Sequence, residues 1–275
     1  MSANPEVPLR TSVSNCLKLL APNITTIKEY SWTGSDQEQF WEFFKRSMLV
    51  RQFEAAQAIV DWAGTSHGHL GVTLLRPAYE ELLWAIYLEK HPDKAPKIAL
   101  FISSQETTET LEAQNQFLGA KAMQQHGFTQ RYLKHRDALT RPQLKELRAI
   151  GRQLGWRNDE PPGAAFLARQ VGKEREYNFV YQATSRFVHF SGHELGRRVW
   201  GRHGSVKIGS DQFAGFWSEF ALYWSFRIFM DTANVLREVF SDYEIDVEVI
   251  GDGMMANIRN MYPMPIITKA ELESW

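Results

Sequence analysis

Two strongly apolar stretches, residues 73–88 (TLLRPAYEELLWAIYL) and 177–195 (YNFVYQATSRFVHFSGHEL), carry ionisable side chains within their apolar pattern. Such groups are costly to bury unless they are paired, hydrogen-bonded or kept for chemistry. Arg76 and Glu80 stand four residues apart, so a helix stacks them on one face. Tyr181, Ser185 and His189 repeat that step in the second stretch. The pattern predicts two helices that meet over a shared polar cluster, with Arg76 or Glu80 in reach of the Tyr181–His189 stripe.

The rest of the chain also reads as helical. Residues 37–63 place Phe40, Phe44, Met48 or Leu49, Phe53 and Ile59 or Val60 at helical intervals. Pro77 should start or kink the first signature helix next to Arg76. An acidic surface helix is expected over residues 103–126 and a basic amphipathic one over 139–154, with Pro142 in its first turn. The second signature helix should run from about residue 172 to Gly192, and residues 197–209 read as a glycine-rich basic loop. Phe213, Phe216, Trp217, Phe220, Tyr223, Trp224 and Phe229 cover most of the circumference of a final helix. That helix belongs at the centre of a bundle or at a homodimer interface formed through residues 213–230.

Only residues 243–250 alternate as a strand would. The expected fold is all-α, a single bundle of about six or seven helices. The bundle occupies residues 35–240, after an irregular N-terminal arm over 1–34 with a short helix near 13–20. An extended tail over 241–275 packs on it. The loop at 155–163 (GWRNDEPPG) has the composition of a boundary, but its flanking helices look too short to form two cores.

Lys plus Arg number 31 against 32 for Asp plus Glu, a net charge of −1 that gives no general attraction to nucleic acid or anionic membrane. A local basic patch remains open. One cysteine, Cys16, cannot form an internal disulfide and suits the cytoplasm. Residues 1–15 show no secretory pattern, and Ser218, Glu219, Ser225 and Arg227 interrupt the most apolar helix, so no membrane span is expected.

His189, Arg76 and Glu80 are the candidate catalytic residues, with Tyr181, Ser185, Arg186 and His193 as binding residues. Each has a plainer account. Arg76 and Glu80 can be an internal ion pair that fixes helix register. Ser185 and His189 have the spacing of a nucleophile and base, yet no third carboxylate orients them. Hydrogen bonds from Ser185 and Tyr181 would make His189 a satisfied core group. His189 and His193 could share a metal only with a further ligand, and Glu194 points about 100° away on a continuous helix. No metal or cofactor is expected. Glu81 reads as solvent-facing.

Arg198 and His203, with four residues between them, have the spacing of the nuclease members of the HEPN helical-bundle family. In that family, which this chain resembles here, Arg and His act together on RNA phosphate. Val199 departs from the polar residue that follows Arg in the HEPN pattern, and Gly201 favours a loop. Arg186 and His193 form a second match with six residues between them. The combination of LLRPAYEELLWAIYL with YQATSRFVH resembles the bacterial domain of unknown function family 5677. There an early helix carries Arg–(Pro or Ser)–x–x–Glu and a late one Tyr, Ser and His. The likeness covers about residues 70–192 and rests on Arg76, Glu80, Tyr181, Ser185 and His189. It implies an all-α fold and a cytoplasmic location but names no activity. The HEPN likeness implies RNA binding or cleavage, in stress or phage defence. The alternative is a non-catalytic helical module whose Arg/Glu/Tyr/Ser/His cluster is structural or holds a small ligand.

Overall fold

Apolar side chains that recur every three to four residues leave one stripe to bury, and the chain is helical wherever such a stripe runs. The computed structural model describes residues 9–31, 36–202, 204–209, 213–240 and 264–267. These contain nine α-helices and one two-stranded hairpin, an all-α fold. The helices are α1 (Leu9–Lys28), α2 (Asp36–Trp62), α3 (Val72–Glu89), α4 (Ala95–Gln125), α5 (Gln130–Gln153), α6 (Ala164–Gln170), α7 (Glu174–Val188), α8 (Gly192–Gly196) and α9 (Ala214–Val235). No helix among the described residues is long and apolar enough to cross a membrane.

The chain divides into two compact units. The first draws on Met1–Tyr30, Lys45–Ile86 and Ala168–Trp275, the second on Ser31–Phe44 and Tyr87–Leu167. In the first unit α9 is the spine. Phe220, Phe226 and Phe229 are fully buried, each worth about 1.5–3 kcal/mol in transfer from water. Trp217 and Trp224 are 3% and 7% exposed, so both rings are covered within their own chain. A 3₁₀ turn, Gly68–Gly71, packs against α9. It can do so because a Cβ on Gly68 would lie 2.6 Å from Ser218 Oγ.

The expected irregular arm is in fact helical over Leu9–Lys28. Its Pro and Asn-Thr positions suggested turns, but Val13, Leu17, Leu20, Ile24 and Ile27 form a buried stripe that outweighs the one hydrogen bond lost at Pro22. α3 likewise runs unbroken through Pro77, so Arg76 sits inside a helix and not at a break. The expected loop at 197–209 is an antiparallel hairpin, β1 (Val199–Arg202) with β2 (Ser205–Ile208). Gly204 supplies the left-handed turn with φ +87°.

In the second unit α4 packs on α5. α5 begins nine residues before the expected start at 139, because Thr129 Oγ1 caps it by accepting from the Tyr132 amide at 3.2 Å. Pro142 therefore lies mid-helix. Trp156, 4% exposed, donates its indole N–H to Tyr87 Oη at 2.9 Å. The strand expected at 243–250 lies outside the described residues.

Candidate functional site

The polar positions of α3 and α7 meet within the first unit. Arg76 Nε donates to Glu80 Oε1 at 3.0 Å across one turn of α3. Arg76 Nη1 donates to His189 Nε2 at 2.5 Å, and the guanidinium lies over the Tyr181 ring at 4.8 Å. Tyr177 continues the aromatic floor, its ring 5.2 Å from that of Tyr181. One cation thus touches a carboxylate, an imidazole and an aromatic face. Burial works against the Arg76 charge, but Glu80 outweighs it and keeps the guanidinium above its ordinary value.

An arginine only donates, so Nε2 of His189 must present its lone pair. While the contact stands, the ring is neutral with its proton on Nδ1. Protonation would remove the acceptor and set two cations against each other.

The cluster lies at the surface rather than in the core. Arg76 and Glu80 side chains are 25% and 39% exposed, and His189 is exposed. The reason is that α7 ends at Val188, earlier than the expected Gly192. His189 is extended at φ −119° and ψ 162°, though its amide still bonds to Ser185 O at 3.0 Å. Ser191 then starts α8, its Oγ accepting from the Glu194 amide at 3.2 Å. Ser185 and Tyr181 therefore do not satisfy His189. No hydrogen bond between the Ser185 hydroxyl and the imidazole occurs among the described residues, and the partner of the ring is Arg76.

Across the same break, Arg186 Nη1 donates to His193 Nδ1 at 3.3 Å, so a second Arg–His pair flanks the 189–191 turn. Between them Phe190 is 91% exposed. Of the alternative pair, only Arg198 belongs to the described residues, where it is half-buried; His203 lies outside them. Arg197, expected in a solvated loop, is 7% exposed, with its guanidinium over Phe213 and Trp217 at 4.9 and 5.1 Å. Aromatic cover stabilises a cation that the sequence placed in water.

Two further ionisable groups escaped the sequence. Glu176 of α7 accepts from Tyr79 Oη at 3.0 Å, from Lys173 Nζ at 2.9 Å and from Arg227 Nη2 at 2.5 Å. Burial, with Glu176 beside it, pushes the Tyr79 phenol far above its ordinary value. The only sequence signal was the Lys173/Glu176 pair one helical turn apart. Glu81 is not solvent-facing: its side chain is 15% exposed, paired with Arg51, and accepts from Gln52 Nε2 at 3.1 Å. Burial pushes its carboxyl up to about 7 against the pull of Arg51 and Gln52. α3 is buried on more than one side, so a position about 100° from Glu80 is still covered.

Among the described residues no group of three or more His, Cys, Asp or Glu could hold a metal ion. No curated protein and no solved structure matches the chain. Residues 43–205, more than half of the chain, match the model of a family described as "Family of unknown function (DUF5677)".

Proposed function

Because the chain belongs to the family of unknown function DUF5677, whose name assigns no chemistry, we propose from the site itself that it is a cytoplasmic HEPN-like protein that binds RNA and cuts its backbone. The observation that carries this reading is the surface contact between Arg76 and His189. Guanidinium beside imidazole is the pairing that phosphodiester chemistry uses: one group for phosphate charge, the other for the proton. The second Arg–His pair and the exposed ring of Phe190, a face on which a base can stack, support the same substrate.

A phosphate oxygen is a stronger acceptor for Arg76 than a neutral imidazole. Substrate binding therefore draws the guanidinium onto phosphate and frees Nε2 of His189. That nitrogen takes the proton of the adjacent 2′-hydroxyl, the 2′ oxygen bonds to phosphorus, and the bond from phosphorus to the 5′ oxygen breaks. The leaving oxygen takes a proton from water. Glu80 holds Arg76 in place from the other side. Products would carry a 2′,3′-cyclic phosphate and a 5′-hydroxyl.

The test is cleavage of end-labelled single-stranded RNA by wild type, His189→Ala and Arg76→Ala, with the all-deoxy strand as control. Cleavage of RNA alone, lost by about 10²-fold or more in His189→Ala, is expected. An inert wild type, or a His189→Ala variant that cuts at the same rate, would return these residues to the alternative role of organising the fold or holding a small ligand.

A further inference from the structure

Charge is distributed unevenly along this nearly neutral chain. α5 carries seven Lys or Arg (131, 134, 136, 141, 145, 148, 152) against Asp137 and Glu146, a net of 7 − 2 = +5, while the whole chain carries −1. At about 100° per residue, Arg131, Lys134, Arg141 and Lys145 fall within roughly 80° of arc, along about 21 Å of helix. All four are exposed. Lys134, Arg141 and Lys145 line an open trough of about 740 Å³ together with Asp137, Ala138 and Pro142.

The carboxylates around this face are accounted for. Asp137 pairs with Arg141 at 2.5 Å, and Glu146 is engaged by Lys97 at 2.6 Å. Farther along, Arg152 pairs with Asp159, and Arg148 shares a pocket with Glu109, Glu112, Asp159 and Glu160. The open cationic section is therefore residues 131–145. The buried residues of α5 are Thr140, Leu147, Ile150 and Gly151, and the helix packs on α4; Tyr132 and Leu139 are exposed, two side chains rather than the continuous apolar face that a helix needs to lie in a bilayer. What remains is a row of cations suited to an extended polyanion.

We infer that this face of α5 holds the phosphate backbone of single-stranded RNA, independently of base sequence. The choice of RNA over other polyanions rests on the function proposed above; the charged face itself belongs to other residues in the other compact unit. Each neutralised phosphate releases counterions, so binding should weaken with salt at a slope of about −0.7 per contact.

The experiment is fluorescence anisotropy of a labelled 2′-O-methyl oligouridylate, which cannot be cut through its 2′ oxygen, titrated with the full chain over a range of salt. The triple variants Arg131→Gln/Lys134→Gln/Lys145→Gln and Arg131→Glu/Lys134→Glu/Lys145→Glu are compared with wild type. Each should melt like wild type, lose about tenfold or more in affinity, and show a salt slope reduced by about 2 (three contacts at about 0.7 each). Binding as tight as wild type in both would overturn the inference while leaving cleavage at His189 untouched. A wild type that binds this probe through α5 yet cuts no RNA would sink the proposed chemistry and support the inference. Binding of polyglutamate or of anionic phospholipid vesicles without binding of the probe would overturn it.

Discussion

Replacing Glu81 by Gln should make the protein more stable at pH 8 and leave it almost unchanged near pH 4.5. Glu81 is an acid whose folded-state value is raised, from an ordinary 4.5 to about 7. Its protonated form is thus favoured by folding, and the charged form is penalised by burial. The stability it contributes is full below about 4.5 and declines as pH rises through about 7. The difference of about 2.5 in pKa corresponds to about 3 kcal/mol at pH 8. Gln keeps an oxygen for Gln52 Nε2 and removes the buried charge. It also loses Arg51, but the pull of that 63% exposed side chain is already contained in the raised value, so it calls for no further deduction. The net expectation stays at about 3 kcal/mol, or roughly 6–12 °C in Tm for a chain of this size. Thermal melts of both proteins between pH 4.5 and 8 would read it. Parallel profiles, or a variant less stable at pH 8, would refute the reasoning by showing that Arg51 and Gln52 outweigh burial.

Other substitutions test other contacts. Glu176→Gln leaves Lys173 and Arg227 without their shared anion and should lower stability by about 2–3 kcal/mol in a denaturant melt, with an unchanged midpoint as the contrary result. Gly68→Ala drives a methyl against Ser218 Oγ and should cost about 1–3 kcal/mol, a loss that the added Ser218→Gly change partly restores; a lone Gly68→Ala that melts normally would show that the turn can move. His189→Ala removes an exposed ring and should stay within about 0.5 kcal/mol of wild type, whereas the core role read from sequence requires 1–3.

The helices were legible because side-chain spacing reports burial directly, and the meeting of Arg76 with the Tyr181–His189 stripe followed from two apolar helices having to cover their polar groups. What the sequence hid was set by chain geometry. Helical spacing put His189 on the stripe of Tyr181 and Ser185, but α7 stops at Val188 and the ring turns to Arg76 at the surface. Pro77 and Pro142 carried breaker signals that packing overrode, since one missing hydrogen bond is small beside a buried apolar face. Glu81 and Glu176 looked ordinary because their partners Arg51, Gln52, Tyr79 and Arg227 are remote in sequence or on another helix.

The central place of α9 has a consequence for dissection of the chain. The family match closes at residue 205, within the β-hairpin, while α9 begins at Ala214 and α1, which touches it, ends at Lys28 before the match opens at 43. A fragment cut to 43–205 would lack the buried Phe220, Phe226 and Phe229, of which Phe220 meets Phe179 of α7 and Phe229 meets Phe53 of α2, and Arg227, which holds Glu176 of α7. The recognisable segment is a unit of descent and not a unit of folding, and a domain swap drawn along its borders would transplant the polar residues without the scaffold that keeps them together.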